Sequence, residues 1–177
     1  MPDKKGNLYL FEAIELRNEY DTHIKLLENL LCEADNGNDR YYRGDECEEK
    51  EASKDFDQKE VEESLKKLKT KRIKLNHEIQ KKNFNIQIDY NNGNISVAEA
   101  LEVRKNFIDE LKIISQKIIK SAYKKIIHKE ERDIERKTKY NYKDVYQDFK
   151  KKIKDKRNLI NEIHKANHKY TINFKDE

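Results

Sequence analysis

The chain has little of what interrupts a helix. Its 177 residues include one proline, four glycines and no tryptophan. Proline breaks the interior of a helix and glycine weakens it. Because both are scarce, long stretches can run as helix without a break. We therefore expect a mainly α protein built from a few long helices.

Cysteines and long apolar runs are scarce too. Cys32 and Cys47 lack the paired spacing of a zinc or redox motif. No apolar run approaches the roughly 20 residues that a membrane-spanning helix requires. The first residues also lack the charged, apolar and small-residue pattern of a secretory signal peptide. These absences lead us to expect a cytoplasmic protein without a transmembrane segment.

Charge is abundant and mixed. Charged residues make up 42% of the chain, with 39 basic and 35 acidic, and hydrophobic residues make up 35%. The charges alternate with apolar residues at helical spacing instead of forming long blocks, which favours a folded chain over a disordered one. With so few hydrophobic residues, the core must be narrow, as in an elongated helical bundle.

A sequence repeat is the most informative feature. Residues 6–20 read GNLYLFEAIELRNEY and residues 93–107 read GNISVAEALEVRKNF, and Arg17 and Arg104 occupy the same place 87 residues apart. Glycine, asparagine, glutamate, alanine and arginine recur in register. Internal similarity of this kind indicates a structural unit used twice.

A second pair of segments repeats in the same order. Residues 75–88 read LNHEIQKKNFNIQI and residues 159–172 read LINEIHKANHKYTI, with Asn83 and Asn167 separated by 84 residues. The three-residue difference from the first offset is expected to fall in the loops, where changes of length are tolerated. The two matches together indicate a duplicated helical hairpin.

The repeat and the apolar spacing predict the fold. We expect a single domain over residues 1–177, with an internal repeat of residues 6–88 and 93–172. We expect an antiparallel four-helix bundle, in which the duplicated hairpins are related by a pseudo-twofold axis, with short β-hairpins at one end. The four helices are predicted at about 9–34, 58–83, 97–136 and 143–168.

Apolar residues three and four apart predict which face of each helix is buried. Helix 1 carries Leu10, Ala13, Arg17, Tyr20, Ile24, Leu27 and Leu31; helix 2 carries Val61, Leu65, Leu68, Arg72, Leu75 and Ile79; helix 3 carries Leu101, Arg104, Ile108, Leu111, Ile114 and Ile118; and helix 4 carries Val145, Phe149, Ile153, Ile160, Ile163 and Asn167. Ser96 followed by Glu99 is a capping-box pattern for the start of helix 3.

Residues 83–97 predict a small β-hairpin, because two alternating segments flank an Asn-Asn-Gly turn signal. The repeat extends this expectation to the chain ends. Asn7 to Leu10 correspond to the second strand of that hairpin, and Tyr170 to Phe174 correspond to its first. We therefore predict that the two ends of the chain pair as antiparallel strands.

Several short motifs resemble the septicolysin-like family of small bacterial proteins. They are EAIELR, EIQKKN, EALEVR, TKYNYKD and EIHKAN, which begin at residues 12, 78, 99, 138 and 162. The similarity spans nearly the whole chain. It implies a small helical protein of unassigned biochemical activity, and the family name suggests a cytolysin.

Polar residues on the apolar stripes are candidates for a polar pocket, since a desolvated guanidinium needs carboxylate or carbonyl partners. The candidates are Glu12, Arg17, Arg72, Glu78, Asn83, Glu99, Arg104, Glu162 and Asn167. In the alternative interpretation these side chains reach solvent or form ion pairs that fix the helix register.

His164 and His168 are four residues apart on a predicted helix, a spacing that can place two imidazoles on one metal ion. No third ligand is evident, and the duplicate half has Gln80 and Phe84 at these positions. We therefore expect a surface pair without a metal.

Opposite charges are concentrated in two segments. Residues 35–57, predicted to be a mobile loop, contain nine acidic and four basic residues, a net charge of −5. Residues 112–157 contain seventeen basic and seven acidic residues, a net charge of +10. The basic segment is either a solvated helix pair, a docking surface for the acidic loop of another subunit, or an anion-binding surface.

Lysine and tyrosine alternate within the basic segment, a mixture that can bind phosphates and stack on bases. The anion-binding candidates are Lys137, Lys139, Tyr140, Tyr142 and Lys143.

No nucleophile with a nearby base, no phosphate-binding glycine loop and no cofactor motif is evident, so we expect neither an enzyme nor a cofactor. Three functions remain open. The first is a non-enzymatic interaction protein that self-associates as a homo-oligomer, because Phe11, Ile14, Leu16 and Leu30 lie off the main stripe of helix 1. The second is a binder of nucleic acid or a small nucleotide-like anion, and the third is a membrane-active cytolysin.

Overall fold

The computed structural model describes residues 7–36, 53, 55–128, 130, 132 and 134–176. Within these residues the protein is mainly helical, with four helices and three pairs of short antiparallel strands. The elements are β1 (Leu8–Tyr9), α1 (Leu10–Asn36), α2 (Gln58–Asn85), β2 (Gln87–Tyr90), β3 (Gly93–Ser96), α3 (Val97–Ala122), β4 (Lys125–Ile127), β5 (Ile134–Arg136), α4 (Tyr142–Lys169) and β6 (Thr171–Ile172). The expected four-helix arrangement with short hairpins is confirmed.

The chain forms two compact units. Unit 1 comprises the described residues within 1–82 and 168–177, and unit 2 comprises those within 83–167. Both boundaries fall near the ends of helices, one in the last turn of α2 and the other in the last turn of α4. Each of these helices is therefore followed by a strand that belongs to the other unit.

Helices α1 and α2 pack side by side in unit 1. A salt bridge of 2.7 Å joins Glu28 to Lys69, and another of 2.8 Å joins Asp21 to Arg72. A lower residue number on α1 thus meets a higher number on α2, so the two helices are antiparallel.

The core of unit 1 follows the predicted stripes. Its buried apolar side chains are Leu10, Ala13, Tyr20, Leu27, Leu75, Ile79, Ile172 and Phe174. The α1 members are spaced three, seven and seven residues apart, which places them on one face of the helix. Leu10, Leu75 and Ile79 are almost completely buried, and each such side chain contributes about 1.5 to 3 kcal/mol.

The two ends of the described chain pair as predicted. Leu8 lies opposite Ile172, and Tyr9 lies opposite Thr171, in an antiparallel ladder. The amide of Asn7 also donates a hydrogen bond of 3.1 Å to the carbonyl of Ile172. The sequence repeat therefore identified a strand pair between segments that are far apart in the chain.

The predicted hairpin in unit 2 is present as β2 and β3. Its ladder closes at Tyr90 opposite Gly93, which leaves Asn91 and Asn92 as a two-residue turn. Both asparagines have positive φ angles, 50° and 65°, as a type I′ turn requires. Asparagine tolerates this left-handed region better than most residues, so the turn does not depend on the glycine.

The two strand pairs share one register. Ile95 and Ile88 lie opposite each other in unit 2. The residue 87 positions before Ile95 is Leu8, the residue 84 positions after Ile88 is Ile172, and these two lie opposite each other in unit 1. The offsets are those found in the sequence, so each unit contains the same strand pair at the same place in the repeat.

Helix α3 buries a slightly different face from the one predicted. Val97, Ala100 and Phe107 are buried, whereas Arg104 and Ile108 are exposed. The prediction was wrong at Arg104 and Ile108 because α3 carries apolar residues on more than one face, so spacing alone allowed two stripes. The remaining buried apolar side chains of unit 2 are Ile86, Ile88, Leu159, Ile163 and Ala166.

The predicted end of α3 at residue 136 was also wrong. The helix ends at Ala122, and Tyr123 adopts an extended conformation with φ −129° and ψ 132°. The chain then forms the antiparallel pair β4 and β5, in which Ile127 lies opposite Ile134. No proline or glycine marks this break, so β-branched residues and cross-strand pairing outweighed the helix propensity of the charged residues around them.

Candidate functional site

The start of α4 positions the tyrosines of the basic segment. The side-chain oxygen of Asn141 accepts a hydrogen bond of 3.0 Å from the backbone amide of Lys143. The backbone carbonyl of Asn141 accepts one of 3.2 Å from the backbone amide of Val145. These bonds satisfy amides at the helix start, as an N-cap residue does. Tyr142 and Tyr146 then lie one turn apart on the same side of α4.

These two tyrosines form a parallel ring pair. Their ring centroids are 5.7 Å apart and the ring planes differ by 8°. Tyr142 is 43% exposed and Tyr146 is 39% exposed. The ammonium nitrogen of Lys150 lies 4.7 Å from the centroid of the Tyr146 ring. The exposed ring pair therefore has a cation over one of its two rings.

A third tyrosine, Tyr140, lies near two more lysine ammonium groups. The ammonium nitrogens of Lys117 and Lys139 lie 5.5 and 5.9 Å from the centroid of the Tyr140 ring. Such contacts contribute about 0.5 to 1 kcal/mol at exposed sites. They also place two positive charges within 6 Å of the same ring centroid, although Lys117 comes from α3 and Lys139 comes from the loop before α4.

We call this region the Lys/Tyr surface. It comprises Lys117, Lys137, Lys139, Tyr140, Tyr142, Lys143, Tyr146 and Lys150. Three of the five anion-binding candidates, Lys139, Tyr140 and Tyr142, take part in the ring contacts. Lys137 and Lys143 are exposed, and we include them because they are close to these tyrosines in sequence.

A groove of about 440 Å³ continues from this surface along α4. We call it the α4 groove, and it is lined by Tyr146, Phe149, Lys150, Ile153, Lys154 and Arg157. Apolar and cationic side chains alternate along it at helical spacing. From Tyr146 to Arg157 the helix rises about 16 Å, so the groove offers an extended path instead of an enclosed pocket.

Lys152 lies outside the α4 groove and has another role. Its ammonium group forms a salt bridge of 2.6 Å with Glu110 of α3 and lies 5.4 Å from the centroid of the Phe107 ring. The hydrogen bond with Glu110 raises the pKa of Lys152. Lys152 joins α3 to α4. Because its ammonium group is already paired with Glu110, it is less available than Lys150 to bind an anion.

Sequence reasoning missed four cations that the structure places on the surface or in the groove. Lys150, Lys154 and Arg157 could have been found, because they alternate with Tyr146 and Phe149 along one face of α4. Lys117 could not, since it reaches Tyr140 from another helix.

Two of the polar-pocket candidates cap helices. The carboxylate of Glu12 accepts a hydrogen bond of 2.7 Å from the amide of Tyr9, and that of Glu99 accepts one of 2.7 Å from the amide of Ser96. The hydrogen bond from the backbone amide of Ser96 lowers the pKa of Glu99, and the hydrogen bond from the Ser96 hydroxyl lowers it further. The predicted capping box is confirmed.

Two of the arginine candidates, Arg17 and Arg72, pair with residues outside the candidate set. Arg17 donates to the side-chain oxygen of Asn76 over 3.3 Å, and Arg72 donates to Asp21 over 2.8 Å. The Nε atom of Arg17 is buried, and the structure shows no partner for it in the described part of the chain.

The other candidates vary in exposure. Asn83 is 5% exposed, and its side-chain oxygen is buried without a partner among the described residues. Arg104 is exposed, and Glu78 and Asn167 are half-buried. Glu162 forms a salt bridge of 2.6 Å with Lys165.

The two histidines of the predicted pair have different surroundings. The ring of His168 packs against Phe11, with the ring centroids 4.5 Å apart, and His164 is exposed. Within the ranges that the structure describes, no cluster of three or more histidine, cysteine, aspartate or glutamate residues is placed to hold a metal ion.

Two further expectations concern a membrane-spanning helix and the acidic loop. No helix there has the length and apolar character needed to cross a membrane. The predicted mobile acidic loop at about 35–57 lies largely outside the described residues.

Comparisons with known proteins identify a similar fold. No protein-family model matches the chain, and no curated protein matches it. The chain is similar to the crystal structure of a functionally unknown conserved protein from Corynebacterium diphtheriae, with a TM-score of 0.69 and 19% sequence identity. The similarity covers 93% of this chain and 97% of that protein. At this identity the likeness shows a common fold.

Proposed function

We propose that this protein is a non-enzymatic binding protein whose Lys/Tyr surface binds nucleic acid or a related polyanion. The observation that carries the proposal is the association of ammonium groups with tyrosine rings, of which Tyr142 and Tyr146 are exposed and Tyr140 is half-buried. Lys150 lies at the Tyr142–Tyr146 ring pair, and Lys117 and Lys139 lie at Tyr140. Phosphates pair with the cations, and aromatic faces accept bases.

The charge distribution supports the same function. Residues 112–157 carry a net charge of +10, although the whole chain carries only +4. A concentrated positive charge attracts a polyanion and releases the counterions around it, so affinity depends strongly on salt. The α4 groove extends the cationic path beyond the tyrosines through Lys154 and Arg157.

The test is a salt titration of binding. Fluorescence anisotropy would measure the affinity of a labelled single-stranded oligonucleotide at several salt concentrations. We expect the logarithm of affinity to fall linearly with the logarithm of salt concentration. Charge reversal at Lys137, Lys139 and Lys143 should weaken binding and flatten that slope.

A matched charge reversal controls for net charge. Lys66, Lys67 and Lys74 are exposed lysines of α2 in unit 1, and reversing them changes the protein's charge by the same amount. Those changes should leave most of the affinity in place. Equal losses from both triple variants would show attraction without a defined surface. Absence of binding at low salt would contradict the proposal.

Self-association is a second candidate, favoured by a pair of exposed leucines. Leu26 is 56% exposed and Leu30 is 40% exposed, and they lie one turn apart on α1. Phe11, Ile14 and Leu16, which also lie off the main stripe, are half-buried. Exposed apolar residues that adjoin one another can mark an interface between copies.

A further inference from the structure

We infer that the polyanion is a single-stranded nucleic acid, whose bases stack at Tyr142 and Tyr146 and whose phosphates follow the cations of the α4 groove. This inference rests on the proposed function and names its ligand class. It is carried by the juxtaposition of an exposed parallel ring pair with an alternating apolar and cationic groove on the same helix.

The ring pair provides a surface that a base can use. The Tyr142 and Tyr146 rings are nearly parallel, at 8°, and one face of Tyr142 is turned to Tyr146 while 43% of the residue remains exposed. A base that stacks on the exposed surface of the Tyr142 ring would add a third ring to the existing stack of two tyrosine rings. Stacking of this kind tolerates any base, because every base has an aromatic face.

The groove fits a strand whose bases and phosphates are both accessible. Tyr146, Phe149 and Ile153 supply the apolar positions, and Lys150, Lys154 and Arg157 supply the cations. A surface for phosphates alone needs only the cations. The apolar members gain contacts only if the ligand presents bases as well.

A duplex fits this arrangement less well. Its bases are stacked and paired inside the helix, so it presents mainly phosphates to a protein surface. The tyrosine rings and the apolar floor of the groove would then face the charged backbone. An acidic protein segment would satisfy the cations but would bring no aromatic bases to the ring pair.

The experiment compares three probes on the full chain by fluorescence anisotropy at one salt concentration. They are a single-stranded oligothymidine of about 20 nucleotides, long enough for one site, a duplex of the same length, and poly-L-glutamate. We expect the single strand to bind at least about tenfold more tightly than either other probe, because one stacked base can account for a factor of that size.

Paired substitutions then separate stacking from charge. Changing Tyr142 and Tyr146 together to alanine should weaken oligothymidine binding at least about fivefold and leave duplex binding unchanged. Changing both to phenylalanine should preserve oligothymidine binding, because the rings remain. Tyr123→Ala is the control, since Tyr123 is 78% exposed and lies outside the ring pair. Circular dichroism would verify that each variant is folded.

The outcomes distinguish this inference from the proposed function. Equal affinity for the single strand and the duplex, unaffected by the alanine changes, would overturn the stacking inference and leave polyanion binding in place. Preferential binding of poly-L-glutamate would indicate an acidic protein partner and overturn the inference. Binding of none of the three probes at low salt would overturn the proposed function as well.

Discussion

The amide of Leu10 donates a hydrogen bond of 2.9 Å to the carbonyl of Tyr170, near the opposite end of the chain. The equivalent bond in unit 2 runs from the amide of Val97 to the carbonyl of Ile86 and is also 2.9 Å long. One bond joins the chain ends, and the other closes a continuous hairpin. The two units therefore use the same backbone contact where a strand pair meets the first turn of a helix.

This relationship makes the last residues part of the fold of unit 1. Truncation after Lys169 removes Ile172 and Phe174, both of which are buried. We expect the free energy of unfolding to fall by about 3 to 6 kcal/mol, at about 1.5 to 3 kcal/mol for each buried side chain. Urea denaturation followed by circular dichroism would measure the loss. As a control, Asn173→Ala at an exposed position should change it by less than about 0.5 kcal/mol. An unchanged unfolding midpoint after truncation would contradict this assignment.

A buried tyrosine links the same chain end to α1. The hydroxyl of Tyr20 donates a hydrogen bond to the carboxylate of Asp176, which also forms a salt bridge of 3.1 Å with Lys71. Burial raises the pKa of Tyr20 and the bond to Asp176 raises it further. The folded state thus resists ionisation of Tyr20.

We therefore expect alkaline pH to destabilise the protein through Tyr20. The protonated Tyr20 contributes its full stabilisation at a pH below the pKa of an unfolded tyrosine, which is near 10. That stabilisation is lost as the pH rises from there towards the higher pKa that Tyr20 has in the folded protein. Tyr20→Phe should remove this part of the pH dependence. Urea midpoints measured between pH 8 and 11 would check it, and an identical decline in both proteins would show that Tyr20 has no such role.

The capping box of α3 predicts a dependence on acid pH. The hydrogen bond from the Ser96 amide lowers the pKa of Glu99 below its ordinary value of 4.5. The ionised Glu99 carboxylate therefore stabilises the folded protein fully at a pH above the ordinary pKa of a glutamate. This stabilisation is lost as the pH falls through the lower pKa that Glu99 has in the folded protein. We expect Glu99→Gln to lower the melting temperature at pH 7, and this difference to shrink as the pH approaches 3. A difference that stayed constant with pH would contradict an ionic contribution from this cap.

The exposed leucines of α1 provide a test of self-association. If Leu26 and Leu30 lie in an interface between copies, changing both to lysine should convert an oligomer to a monomer, because burial of four like charges in a dimer is unfavourable. Sedimentation velocity of the wild type and the variant would measure the change. Ile73→Lys is a suitable control, since Ile73 is exposed on α2. A monomeric wild type would remove this candidate function.

The repeat explains why so much of the fold could be predicted from sequence. The hairpin of residues 87–96 has a local turn signal, and the matching offsets carried that information to the chain ends, where no local signal exists. The end of α3 could not be predicted in this way. The strands Lys125–Ile127 and Ile134–Arg136 have no counterpart in the first half's described elements, and no breaker precedes them.

The candidate site was only partly predictable for a related reason. Composition and spacing identified the tyrosines and lysines at residues 137–143, because they adjoin in sequence. The contact between Lys117 and Tyr140 depends on how α3 packs beside the start of α4. The parallel arrangement of Tyr142 and Tyr146 depends on their side-chain conformations, which helical spacing permits but does not determine.

Ultraviolet cross-linking of a single-stranded oligonucleotide, followed by mass spectrometry of the cross-linked peptides, tests the proposed binding surface most directly. We predict that the adducts fall within residues 137–157, with Tyr142 or Tyr146 among the modified residues, and that they disappear when unlabelled competitor is added. Adducts confined to unit 1, formed under conditions in which the oligonucleotide binds, would show that the Lys/Tyr surface is not the binding site.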